Sequence, residues 1–238
     1  MKSRVLPMEA RGFYHSGLRM MKEEYKMDTK VEKLFDKKFI RVFDIQYREG
    51  RHYYDATRRD EQDLVALKDD AAFRAMLPDA VSCVVIVENA GEAPRLLLSR
   101  EWRYPVGQFL LSVPAGLIDP EDKTLPREQA IFTTAVREMK EETGVTVGKN
   151  DSIEMISPCL FSTPGMTDES NAMVLITLRD HDLSVLTQSG AEGSELFDGF
   201  VLLEKADAQR ILKNGCDDQG IFYSIYTQVA LLTFLSRV

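Results

Sequence analysis

Residues 126–144, "PREQAIFTTAVREMKEETG", restrict the fold more than any other stretch of this chain. On a wheel of 100° per residue with Ala130 at zero, Ile131, Phe132, Ala135, Val136 and Met139 fall between about 100° and 240°. A helix with that arc must bury it against another element, and Gly144 supplies the stop signal. Glu138, Glu141 and Glu142 lie at one edge of the apolar stripe, with Glu142 between two buried positions. They also sit in the last two turns, where the helix dipole disfavours negative charge by roughly 0.3–1 kcal/mol each at an exposed site. An unpaired acid at a buried position is expensive. A plain alternative is a solvated acidic face, with Glu141 paired to Arg137 or Lys140. A hard divalent cation answers the crowding, the burial and the dipole together, and Mg²⁺ prefers carboxylate and water oxygens with room left for phosphates.

The rest of the chain excludes several chemistries. Among 238 residues, 44% are hydrophobic and 29% charged, as in an ordinary soluble globular protein. No run approaches the roughly 18 apolar residues of a membrane span, so no membrane partner is expected. The start, "MKSRVLPMEARGFYHSGLRMMKEEYKM", has no apolar core of a signal peptide. Cys83, Cys159 and Cys216 are scattered and odd in number, which points to a reducing, cytoplasmic setting. A net charge of −8 argues against a nucleic-acid partner but not against a small phosphate ligand bridged by metal. There is no phosphate-cradling G-x-x-x-x-G-K-[ST], no H-E-x-x-H and no G-x-S-x-G. His15, His52 and His181 lie in unrelated segments and read as surface residues.

Along the chain, residues 1–35 read as an arm, disordered or helical. Residues 36–78 form a small β module: "KFIRVFDIQY" and "RHYYDATRR" flank "REG" as a hairpin, and "DDAAFRAMLP" is a short helix. From residue 79 to 238, "AVSCVVIVE", "RLLLSREW", "FLLSVPAG", "AMVLITL" and "FDGFVLL" read as strands. "ADAQRILKNG" and "SIYTQVALLTFLSRV" read as helices after them. The expected class is α+β, an α/β/α sandwich with a mixed sheet, preceded by the small β module.

"REMKEETGV" fits R-E-U-x-E-E-x-G-U, where U is a bulky aliphatic, and so resembles the box shared by Nudix hydrolases. "VPAGLID" is similar to the start of the same box. The resemblance implies that Glu138 and Glu142 bind metal with Glu141 beside them, and that the Ala115 carbonyl joins the shell. It implies structural roles for Gly116, Arg137 and Gly144, with Arg137 bracing the loop by pairing with an acid. Mg²⁺, with Mn²⁺ as substitute, is the implied cofactor. The stretch between Gly116 and Arg137 is longer than the pattern, by an insertion placed within "PEDKTLPRE". The acid that supports the arginine is therefore displaced: Asp122 or Gln129 falls in its slot, Glu128 is adjacent, and Glu128 or Asp122 is expected to substitute.

Two further segments resemble the ADP-ribose and nucleoside-diphosphate-sugar pyrophosphatases of that family. "SREWRYPVGQFLLSVPAGLID" is similar to their Q-Y-R-Y-P and E-L-P-A-G-L-I-D stretches, and "STPGMTDES" to their S-P-G-x-T-x-E loop. Ser112 stands where many of them carry Glu. In that light Arg100 and Arg103 are candidates for the diphosphate, Trp102, Tyr53 and Tyr54 for stacking on a base, and Glu169 for facing the site. Glu192 or Glu195, in "SGAEGSELF", is the candidate base, beside Glu141 and Glu142 on the helix. The resemblance implies Mg²⁺-dependent hydrolysis of a nucleoside diphosphate linked to a sugar, with ADP-ribose the leading substrate, and a homodimer built through the N-terminal module. The alternatives are a catalytically weak ligand-binding or regulatory module, or a hydrolase of another dinucleotide or nucleotide-sugar.

Overall fold

The computed structural model describes residues 29–190 and 195–238. The arm expected over residues 1–35 lies, up to residue 28, outside the described residues. The rest falls into two compact units, one comprising residues up to Met76 together with Thr163–Glu169, the other Leu77–Ser162 and Ser170–Val238.

The first unit is a three-stranded antiparallel meander of β1 (Lys30–Lys37), β2 (Ile40–Arg48) and β3 (Arg51–Thr57), followed by a short helix α1 (Asp70–Ala75). The β2–β3 hairpin turns at "REG" because Gly50 takes the left-handed conformation, with φ of 65°. β1 corrects the expectation of an arm up to residue 35 followed by a hairpin alone. It buries no residue completely, so its sequence carries no apolar alternation to announce it. The Thr163–Glu169 segment joins this unit through backbone and side-chain bonds. Ala56 N–H donates to the Met166 carbonyl at 3.0 Å, Tyr53 Oη to the Gly165 carbonyl at 2.8 Å, and Asp168 N–H to Asp55 Oδ1 at 3.0 Å.

The second unit is a seven-stranded mixed sheet with helices on both faces. Its strands are β4 (Ala80–Glu88), β5 (Arg95–Arg103), β6 (Gln108–Ser112), β7 (Ala115–Leu117), β8 (Ser152–Phe161), β9 (Ser170–Arg179) and β10 (Phe197–Leu203). The main order is β10-β5-β4-β9-β8, with β6 added to β5 and β7 to β4. Among the described strands only β4 and β9 pair in parallel, and they lie at the centre. β4 is "AVSCVVIVE", buried at every position but the last, as a strand covered on both faces must be. Its residues alternate between two cores. Val81, Cys83 and Val85 pack with Ile131, Ala135 and Met139 of α2 (Arg127–Thr143). Val84 and Ile86 pack with Ala208 and Ile211 of α3 (Lys205–Asn214) and with Ala230, Leu231 and Phe234 of α4 (Ile225–Arg237). Among the described residues, no helix is long and apolar enough to cross a membrane.

Two local findings differ from the sequence reading. "FLLSVPAG" is not one strand. Pro114 has no N–H to give a ladder, the chain breaks there, and β6 pairs with β5 while β7 crosses to β4. β8 shows no strand pattern in the sequence. It is an edge strand with two register shifts and a proline, Pro158, so neither its period nor its composition reads as a strand.

Candidate active site

The break at Pro114 sets β7 beside α2. Glu138 and Glu142 of that helix are 7% and 6% exposed, which is low for acids. The Glu138 carboxylate lies directly over Gly116, where any Cβ would overlap it. Glu142 Oε2 accepts the Ala115 N–H at 3.3 Å. Arg137 is shared among several groups. Its Nη1 stands 2.8 Å from Glu138 Oε1 and 2.9 Å from Glu141 Oε2, its Nη2 donates to the Leu117 carbonyl at 2.9 Å, and its Nε lies 3.2 Å from Asp119 Oδ2.

Burial pushes the Glu138 carboxyl up to about 7, although Arg137 beside it pulls the other way. Burial pushes Glu142 higher still, to about 9, helped by the charges of Glu101, Glu138 and Glu195. Glu101 is raised as well, again by burial first. Four carboxylates from α2, β5 and the segment before β10 thus converge on one corner. Among the described residues no three His, Cys, Asp or Glu side chains already stand as a cation cage. Glu138 is turned onto Arg137 and Glu142 onto the Ala115 N–H. The donors are all oxygens, partly dehydrated and mutually repulsive, and this set fits a hard divalent cation.

The end of α2 is fastened to the next part of the site. Gly144 takes φ of 75° and its N–H returns to the Lys140 carbonyl at 2.9 Å. Thr187 N–H donates to the Thr143 carbonyl at 3.0 Å, and a Cβ on Gly190 would come 2.5 Å from the Glu141 carbonyl oxygen. The chain leaving Gly190 therefore starts at the acidic end of the helix. It returns where Leu196 accepts the Trp102 N–H at 2.8 Å. That fixes Glu195 near Glu101, Glu138 and Glu142, whose carboxyls it pushes upward.

A family profile described as NUDIX domain matches residues 76–217, more than half the chain. The chain belongs to the Nudix family. It is 36% identical over 106 residues to an uncharacterized Nudix hydrolase of Schizosaccharomyces pombe, which covers 44% of each chain. It is 34% identical over 99 residues to an ADP-ribose pyrophosphatase of Saccharomyces cerevisiae, covering 41% of this chain and 38% of that one. To an ADP-sugar pyrophosphatase of Mus musculus it is 27% identical over 129 residues, or 54% of each. The match thus spans from under two fifths to about half of these relatives.

Within this Nudix box the structure brings Ala115, Gly116, Arg137, Glu138, Glu141 and Glu142 together, and Gly144 ends the helix that carries the acids. The acid that braces Arg137 is Asp119, which corrects the expectation of Asp122 or Glu128. Asp119 follows β7 directly and so lies beside Arg137. Asp122 instead accepts from the Thr134 hydroxyl at 3.3 Å, one turn back along the helix. Arg100 is a second correction. β5 alternates, so Leu97 belongs to the α2 core while Leu96 and Leu98 belong to the other. Arg100 falls in the second set, paired at 2.7 Å with Asp217, whose side chain is 1% exposed. Asp217 in turn accepts the Gln219 and Ile221 N–H groups, so Arg100 secures a turn rather than a diphosphate. Trp102 has the same parity as Arg100 and packs edge-on to Phe109 at 5.1 Å. Arg103 has the parity of Leu97, is 47% exposed, and pairs with Glu101.

Glu169 belongs to the first unit, where Arg58 Nε meets its Oε1 at 3.0 Å. Tyr53 in the same unit holds the Gly165 carbonyl, and Tyr54 is exposed. Glu192 lies outside the described residues. Glu101 is the residue that the sequence reading missed. The signal for it is strand parity: Glu101 shares the parity of Leu97 and Arg103, opposite to Arg100.

The raised carboxyls give a prediction about stability. Glu138 and Glu142 keep protons in the folded protein that the unfolded chain has lost. In metal-free protein the stability they permit is complete below the ordinary carboxylate range, and it is lost as pH rises through about 7 and then about 9. After chelation, Tm should fall by roughly 5 °C between about pH 6 and pH 9. Added Mg²⁺, which favours the ionised forms, should flatten that slope. Calorimetry showing the same slope with and without Mg²⁺ would remove the cation from this corner.

Proposed function

We propose that this Nudix protein is a pyrophosphohydrolase of a nucleoside diphosphate linked to a sugar, with ADP-ribose the leading substrate and AMP and ribose 5-phosphate the products. The observation that carries the reading is the pair of buried carboxylates, Glu138 and Glu142, held beside Gly116 and Ala115 with other acids around them. The two relatives whose names carry ADP-ribose and ADP-sugar pyrophosphatase activity support the substrate class. Glu138, Glu142 and Glu141, with the Ala115 carbonyl, would hold Mg²⁺, or Mn²⁺ in its place. Such an ion supplies charge neutralisation and polarisation of phosphoryl oxygens.

The chain's own groups account for the rest. Arg103, exposed at the end of β5 on the α2 face, offers forked donors to the diphosphate. Glu195, or Glu192 in the same loop, takes the proton from the attacking water. Arg137, braced by Asp119 and the Leu117 carbonyl, holds β7 against the helix and so keeps the acids in place.

The test is a panel of nucleoside diphosphate sugars and dinucleotides with product identification, run with Mg²⁺ and with chelator. AMP formed from ADP-ribose only with Mg²⁺ is the expected result. Ligands that raise Tm while nothing is cleaved would leave a binding module instead. A homodimer through residues 38–60 belongs to the same reading, and sedimentation showing a monomer at micromolar concentration would refute it.

A further inference from the structure

We propose that Gln188 is a positioning residue, whose side-chain amide ties together the two ends of the loop that carries Glu195. The inference deepens the reading that Glu195 takes the proton from the attacking water, and it rests on that reading.

β10 is an edge strand of the large sheet and carries a bulge. Phe197 stands opposite Glu101 and Phe200 opposite Ser99, so three steps along β10 match two along β5. The extra residue falls at Asp198 and Gly199, and Gly199 takes the left-handed conformation that such a bulge favours, with φ of 78°. A bulge on an edge strand turns backbone groups away from the ladder, where they need another partner. The Gln188 side chain is that partner. Gly199 N–H donates to Gln188 Oε1 at 3.2 Å, and Gln188 Nε2 donates back to the Gly199 carbonyl at 3.4 Å. An amide carries donor and acceptor together, so it answers both groups of one residue as a neighbouring strand would.

The two ends of the loop are seated beside that pair. On the leading side, Thr187 N–H donates to the Thr143 carbonyl at the end of α2, and Gly190 lies against the Glu141 backbone. On the trailing side, Trp102 N–H of β5 donates to the carbonyl of Leu196, the residue directly after Glu195, at 2.8 Å. Gln188 follows Thr187 in the chain, and Gly199 lies just past Leu196. The amide therefore links the end of the helix that carries the acids to the strand end from which Glu195 departs. Without it each end keeps only its own anchors, and the bulge, with Glu195 ahead of it, can shift against the helix. A displacement of about 1 Å near a reacting group can cost on the order of 10²-fold in rate. The rival role for Gln188 is bracing of the fold alone, which would act without Glu195.

The experiment measures ADP-ribose hydrolysis with Mg²⁺ for the parent, Gln188→Ala, Glu195→Gln and the double variant. It adds peptide-resolved hydrogen exchange for the parent and Gln188→Ala. Gln188→Ala should lower kcat by about 10-fold with KM unchanged, because the lost contact serves proton transfer and not binding. In the Glu195→Gln background the same substitution should change kcat by less than about 2-fold. Exchange over residues 196–203 should quicken in Gln188→Ala, while α3 exchanges as in the parent. Equal losses in both backgrounds, or a loss confined to KM, would overturn the proposal in favour of bracing alone. So would parent-like kcat, or unchanged exchange over residues 196–203, in Gln188→Ala. Parent-like kcat in Glu195→Gln would instead remove the base reading, and this inference with it.

Discussion

Glu142→Gln should lower turnover by roughly 10³-fold while the protein stays folded. The two side chains have the same shape, and the amide oxygen of Gln can still accept the Ala115 N–H that Glu142 accepts at 3.3 Å. What disappears is a carboxyl that ionises freely in the unfolded chain but is held protonated up to about 9 in a folded corner crowded by Glu101, Glu138 and Glu195. Without metal, Gln spares the folded state the cost of keeping that proton, so the variant should melt at or above the parent temperature at about pH 8, and the fall of Tm with pH should shrink. With Mg²⁺ the order should reverse, because the parent gains an ion and the variant does not. Reduced activity together with higher metal-free stability distinguishes a ligand from a packing group, whose loss would lower both. Parent-like kcat in this variant would contradict the assignment.

Gly116→Ala should cost about 10²-fold in activity with little change in Tm. The added Cβ overlaps the Glu138 carboxylate, which is the far end of a flexible side chain. The helix and β7 need not separate, since Glu138 can turn aside. In turning it gives up its contact with Arg137 at 2.8 Å and its place over the strand. Gly116 is not among the glycines with positive φ, so alanine meets no backbone strain there. The gain from a less flexible unfolded chain, about 0.4–1 kcal/mol, works against any loss of packing. Kinetics and calorimetry on the same preparation check both halves. Full activity would mean that Glu138 works from a position other than the one observed.

Much of the site was legible in local sequence, because a helix fixes which residues share a face. The arc of Ile131, Phe132, Ala135, Val136 and Met139 predicted a buried face; Ile131, Ala135 and Met139 are fully buried, and Phe132 and Val136 are half-buried. The same wheel put Glu142 among buried positions, where the structure has it. The strand "FDGFVLL" was bounded correctly as β10, since its apolar run is short and flanked by turns. β1 and β8 were not legible, because their order comes from pairing with β2 and β9 and not from a pattern of their own.

By itself the sequence determined the acidic helix, its glycine stop, and the box pattern that marks a Nudix chain. All of these depend on residues within a few turns of one another, where spacing along the chain is spacing in space. Only the tertiary structure decided which distant groups meet those acids. Strand parity sends Arg100 to Asp217 and Glu101 toward Glu142, and the break at Pro114 hands β7 to β4. It also selects Asp119 as the partner of Arg137. The physical reason is that pairing register and strand facing are settled between segments far apart in the chain, by hydrogen-bond ladders and core packing that no single segment encodes.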